Sequence, residues 1–172
     1  MAEGARTELL KGLQHHVDRR MDWQNKEVDD IDAFTRELPE AAWADGLKKA
    51  ISNLEAARGN RETIRVLVVR RSGRIVGGAV YEPPMPPGEA HLHFVAVSDE
   101  ARGVGIARSL FDAAREAMIR DVRELGWETL AITAWPESPE GEAFLRRLGF
   151  EEDDEFWQLE VPLKVTPETD PQ

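Results

Sequence analysis

His91 and His93 stand one residue apart in the segment EAHLHFVAVSDEARGVGIARSL, residues 89–110. An imidazole has an ordinary pKa of about 6.5, so it can take or give a proton near neutral pH. Alternate residues of a strand share one face unless a bulge intervenes. Such a pair can relay a proton, or it can be two hydrogen-bonded core residues. A metal site is not expected. The chain has no cysteine, and Val97 and Ser98 occupy the place where a following carboxylate ligand would fall. Further along, RGVGIA at Arg102–Ala107 separates an apolar run from a helical pattern. A helix N-terminus offers unpaired N–H groups and the positive end of the helix dipole, and glycines let a bulky anion approach the backbone. The turn therefore reads either as an ordinary tight connection or as an anion cradle suited to a diphosphate. Arg102 and Arg108 would add charge. Other phosphate motifs fit less well. There is no G-x-x-x-x-G-K-S/T, and a dinucleotide fingerprint would need a small residue at Arg108.

These residues need elements to hold them. Val28, Ile31, Phe34/Thr35 and Leu38 form a helical stripe over 28–38, broken by Pro39. A second helix follows near 40–57, with Trp43, Leu47, Ile51 and Leu54 on one face and Gly59 beyond its end. IRVLVV (64–69) and RIVGGAVYE (74–82) form a hairpin signal around RRSG. PPMPPG (83–88) should be a stiff, extended loop. AHLHFVAV (90–97) is a third strand, and Leu92, Phe94 and Ala96 are expected on the face opposite the histidines. Ala107, Phe111, Ala114, Met118 and Val122 mark a long helix ending at Gly126. TLAITAW (129–135) is a strand and 139–150 a short helix stopped by Gly149. A final strand runs over 156–163, after the acidic turn EEDDE. A strand–helix–strand crossover makes 90–97 and 129–135 parallel. The expected fold class is α/β: a mixed central sheet with helices on both faces. Residues 1–24 read as either helix or strand. His15 and His16, adjacent in sequence, suit the surface.

The chain of 172 residues suits one domain, and no apolar run approaches membrane-spanning length. With no signal-type apolar core near the N-terminus, the cytoplasm is the expected location and no membrane partner is expected. The formal net charge of −11 opposes binding to a long phosphate backbone, so no nucleic-acid partner is expected. The same charge either attracts a small cationic substrate or serves solubility alone.

The segment R-G-x-G-x-A, after FVAV and before a long helix, resembles the acetyl-coenzyme A site of the GNAT superfamily of N-acetyltransferases. Arg102, Gly105 and Ala107 match the family pattern Q/R-x-x-G-x-G/A, and AFLRRLGF resembles the family's helix-then-GF segment. The resemblance covers about residues 62–163. It implies a single GNAT domain over 1–172, made of a mainly helical N-terminal part (1–60), an acetyl-CoA-binding core (62–163) and a flexible tail (164–172). Arg102, Gly103, Val104, Gly105, Ile106 and Ala107 would then hold the pyrophosphate, with Arg108 adding charge. The pantetheine arm would lie between strands 90–97 and 129–135, beside Val95, Ala96 and Val97, one of whose N–H groups would hold the oxyanion. Ser138 stands where relatives often have an asparagine near the cofactor.

The strand AHLHFVAV is similar to that of arylalkylamine N-acetyltransferases, where a histidine pair relays a proton from the substrate amine. By that likeness His91 is the base and His93 its relay or support. An alkylammonium of pKa about 10.4 must lose a proton before it attacks a thioester, which costs about 4–5 kcal/mol at pH 7. A thiolate of conjugate-acid pKa about 8.5 leaves at a cost of only about 2 kcal/mol, so a base matters more than an acid. The position where relatives carry a tyrosine acid is Leu145 here. Either Tyr81, Ser138 or water protonates the thiolate, with water ranking first, or the protein is not a fast acetyltransferase. Trp135 either lines the acceptor pocket or packs in the core. The resemblance thus implies acetyl transfer from acetyl-CoA to a small primary amine, in a protein whose relatives are often homodimers. A non-catalytic acyl-CoA sensor and a peptide or protein acetyltransferase are the alternatives.

Overall fold

Short β-branched runs and amphipathic stripes alternate along the chain, and each finds its partner in one sheet. The structure is a computed structural model and describes residues 23–163. The expectations for 1–22, His15 and His16 included, and for the tail from residue 164 lie outside the described residues. Seven strands form the sheet in the order β1-β2-β3-β4-β5-β7-β6. They are β1 (Trp23–Glu27), β2 (Arg65–Arg71), β3 (Arg74–Met85), β4 (Glu89–Val97), β5 (Leu130–Ala134), β6 (Glu151–Asp153) and β7 (Phe156–Val161). Only β4 and β5 pair in parallel; every other neighbour is antiparallel. Ser72 and Gly73, both at positive φ, make the two-residue turn between β2 and β3.

Four α-helices cover the sheet among the described residues: α1 (Ile31–Glu37), α2 (Ala42–Arg58), α3 (Ile106–Glu124) and α4 (Pro139–Leu148). Asp30 caps α1 by accepting from the Ala33 N–H at 3.0 Å. Gly59, at φ +77, ends α2, and Gly149, at φ +96, ends α4. On one face, Leu110, Phe111, Met118 and Val122 of α3 pack with Val69, Ala79 and Ile132, joined by Leu145 and Leu148 of α4. On the other, Phe34 of α1 and Leu47, Ile51 and Leu54 of α2 pack with Val66, Val68 and Val80. Helices therefore lie on both faces of a mixed sheet, as expected. Among the described residues, no helix is long and apolar enough to cross a membrane.

Four details depart from the sequence expectation. β1 is an edge strand whose WQNKE carries no alternating pattern; backbone pairing with β2 holds it. β6 forms within the expected acidic turn for the same reason. β3 runs on through Pro83 and Pro84, where a loop was expected. Its pairing with β2 stops at Tyr81, so beyond that residue one side of β3 is an edge that needs no N–H donors. Finally, Tyr81 pairs with Leu92 but Val80 pairs with Phe94, so β4 bulges at His93. Leu92 packs on the α3 side, whereas Phe94 and Ala96 pack on the α2 side. The expected common face of Leu92, Phe94 and Ala96 is thus broken by one extra residue.

Candidate active site

The connection from β4 to α3 is built on glycine conformation. Gly103 and Gly105 sit at φ +82 and +88, in the left-handed region. A Cβ at either position would meet no atom within 4 Å, so both glycines border open space. Gly105 is the N-cap of α3; no side chain caps the helix, and its first turn carries no acidic residue. The exposed amides and the helix dipole therefore face a cleft of about 340 Å³. Of the expected residues, Val97, Arg102, Gly103, Gly105, Ile106, Ala107 and Arg108 line that cleft. Val104 sits on the turn, half exposed and outside the lining. Arg102 and Arg108 are largely exposed; Arg102 pairs with Asp99 at 3.2 Å and donates from Nε to the Val97 carbonyl at 3.5 Å, and Arg108 lies 3.7 Å from Asp112. Phe144, Arg147 and Leu148 of α4 close the opposite wall. Sequence reasoning missed them, because nothing local says that α4 folds back against the glycine turn.

A gap leads away from the turn along β4. β4 and β5 are paired only from Glu89–Ala131 to Leu92–Ala134, after which β5 ends and β4 continues to Val97. Val95 packs towards α3 and Ala96 towards α2. Of the three strand residues expected beside the coenzyme, Val97 alone lines the cleft. Ser138 also stands outside it; its Oγ accepts from the Gly141 N–H at 3.0 Å and caps α4. Val97 and His93 lie four residues apart, roughly 13 Å along an extended strand.

His91 and His93 come together there, their ring centroids 6.0 Å apart. Trp135, just beyond β5, lies 5.4 Å from the His91 ring and stacks near-parallel on His93 at 6.3 Å. Trp135 is 46% exposed, so it rims the site and does not fill the core. His91 Nδ1 meets the Thr133 hydroxyl, which itself donates to the Ala90 carbonyl at 3.3 Å. With the hydroxyl proton so placed, Nδ1–H is the donor and Nε2 keeps the lone pair. His93 Nε2 lies 2.8 Å from Oε1 of Glu82. Glu82 is 3% exposed. It also accepts from Arg58 Nη2 (2.7 Å, on Oε1), Arg58 Nε (2.9 Å, on Oε2) and the Thr63 hydroxyl (2.9 Å, on Oε2). Burial works to raise its pKa, but the hydrogen bonds from Arg58, His93 and Thr63 outweigh it and hold the carboxyl at about 2. Burial also pushes His93 below its ordinary value, opposed in part by Glu82. At neutral pH the site thus holds a carboxylate beside an uncharged imidazole, a base oriented by an anion.

Glu82, Arg58, Thr63 and Thr133 were not singled out from the sequence. The available signal was a carboxylate ending the run RIVGGAVYE, where a buried strand has no use for an unpaired charge. Tyr81 is placed away from this cluster. Its side chain packs on the α3 side, and burial, followed by the charges of Glu27 and Asp121, pushes its pKa up to about 12. Asp121 belongs to the C-terminal half of α3, far from the glycine turn. Tyr81 is therefore not placed to protonate a leaving thiolate. Leu145 is buried in the same layer.

Residues 62–152 match the family model described as an acetyltransferase (GNAT) domain. No curated protein matches the chain. Among solved structures, it is similar to the GNAT-family N-acetyltransferase YhbS of Escherichia coli in complex with CoA, at 18% identity and a TM-score of 0.56 over 81% of each chain. It is also similar to a ribosomal-protein-alanine N-acetyltransferase from Brucella melitensis biovar Abortus 2308. That likeness has 18% identity and a TM-score of 0.52 over 76% of this chain and 93% of that one. A third likeness is to AtaT complexed with acetyl-methionyl-tRNAfMet, at 14% identity and a TM-score of 0.56 over 81% of this chain and 95% of that one. At these identities the likeness is one of fold.

Proposed function

The chain belongs to the GNAT acetyltransferase family, and on that premise we propose that it moves an acetyl group from acetyl-CoA to a small, cationic primary amine. The observation that carries the reading is the pairing of an uncapped α3 N-terminus with two uncommitted imidazole nitrogens further along the same strand. The diphosphate of acetyl-CoA sits on the amides of the Gly103–Ala107 turn, with Arg102, Arg108 and Arg147 balancing its charge. Its arm follows β4 through the gap beside β5 and brings the thioester to the histidines. The ammonium gives a proton to the imidazole pair. The free amine then attacks the carbonyl carbon: the C–N bond forms, the nitrogen gives its second proton to water, and the C–S bond breaks. The thiolate takes its proton from water, since the tyrosine position is Leu145 and Tyr81 faces the other side of the sheet.

Thiol release across a panel of amines tests this. Replacing both histidines (His91→Gln with His93→Gln) is expected to lower kcat by about 10²–10⁴. Acetyl-CoA affinity measured by calorimetry should change little. Unchanged turnover removes the histidines from the mechanism. Leu145 in the tyrosine position supports a second reading, a GNAT fold that binds acyl-CoA without transferring the acyl group. Tight coenzyme binding with no amine-dependent thiol release would favour it.

A further inference from the structure

The proposed proton transfer does not say which imidazole takes the proton, and the surroundings of the two rings are not alike. His91 meets the Thr133 hydroxyl and stands beside the Trp135 and His93 rings. His93 touches a buried carboxylate. Three features make that contact directional. First, Glu82 is held independently of β4: Arg58 at the end of α2 and Thr63 in the following loop together donate three hydrogen bonds to it. Second, a carboxylate with every near neighbour a donor is ionised and can only accept, so the proton on His93 lies on Nε2. Third, the β4 bulge falls at His93, and a bulge re-aims the side chain it carries.

We propose that Glu82 is a positioning residue that selects His93 as the acceptor of the amine proton. Its carboxylate holds Nε2–H and leaves the Nδ1 lone pair as the base. The proton leaves the ammonium nitrogen for Nδ1, and the imidazolium so formed remains paired with Glu82 until water carries the proton away. Arg58 keeps Glu82 ionised and limits how basic the ring becomes. This rests on the acetyltransferase reading above. The charged or titratable groups facing His93 are Glu82 from β3, Arg58 from α2 and His91 from β4 itself; Trp135 adds an uncharged ring.

The test reads the ring directly and needs no substrate. Nitrogen-15 NMR of the full chain reports the tautomer and titration of His93. Nε2–H is expected in the wild type. Glu82→Gln removes the anion that favours the imidazolium, so the titration should move to lower pH. Arg58→Gln removes a cation that disfavours it, so the titration should move to higher pH, each by about half a unit or more. A resting Nδ1–H tautomer, or a titration that stays put in both variants, overturns the proposal. If Glu82→Gln does not fold, the wild-type tautomer and the Arg58→Gln shift still decide. In turnover, Glu82→Gln is expected to lower kcat by ten-fold or more with the KM for acetyl-CoA within two-fold. Its acid limb should shift in the direction of the NMR titration, which a purely structural carboxylate would not cause. An unchanged kcat also overturns the proposal. A wild type with the expected tautomer and titration shifts but no acetyl transfer to any amine would instead sink the acetyltransferase reading.

Discussion

A carboxylate as deeply placed as Glu82 couples folding to pH. Its pKa is about 2 in the folded protein against 4.5 ordinarily, so the unfolded chain binds its proton first as the solution is acidified. The associated stability is complete above about pH 4.5 and is lost as pH falls towards 2, on the order of 3 kcal/mol in all. His93 acts in the same direction, because its folded pKa also lies below the ordinary value; its share begins to be lost below about pH 6.5. Urea unfolding at pH 7, 5 and 3 should show stability falling at each step, more steeply in the wild type than in Glu82→Gln between pH 5 and 3. An equal fall in both would mean that Glu82 is not held as the geometry indicates. Trp135 matters at this scale too, since its exposed ring lies beside both imidazoles and so borders the proposed acceptor site.

Two elements do the placing. The N-terminus of α3 presents amides because Gly103 and Gly105 take conformations that alanine adopts at a cost of about 1 kcal/mol each. Gly105→Ala should therefore fold with a modestly lower Tm, yet set a methyl group in the open space that the proposed coenzyme diphosphate would occupy. Calorimetry is expected to show acetyl-CoA affinity lower by ten-fold or more, and an unchanged affinity would move the coenzyme elsewhere. β4 is the other element. It is paired with β5 only over its first half, and its bulge moves the even-numbered positions from the α3 side at Leu92 to the α2 side at Phe94 and Ala96. Strand and helix types in this region were legible because they follow from local periodicity. The bulge was not, because the number of residues opposing one another depends on the partner strand. Backbone hydrogen bonding, indifferent to side-chain pattern, likewise hid β1 and β6.

Across the whole molecule, a net charge of −11 attracts cations and repels polyanions over distances comparable to the Debye length. Raising ionic strength at constant pH should therefore raise the KM of a cationic amine, and a KM indifferent to salt would leave the acidity to solubility alone. The same field opposes a long phosphate backbone, while Arg102, Arg108 and Arg147 place positive charge at the cleft. By itself the sequence determined the α/β class, the glycine turn at the head of a long helix and the imidazole pair, because each is written in neighbouring residues. Only the tertiary structure decided that α4 closes the cleft, that Tyr81 faces away, and that Glu82 meets Arg58 and Thr63 from 24 and 19 residues away. A buried charge is stable only where distant donors converge on it, and convergence of that kind is a property of the folded chain.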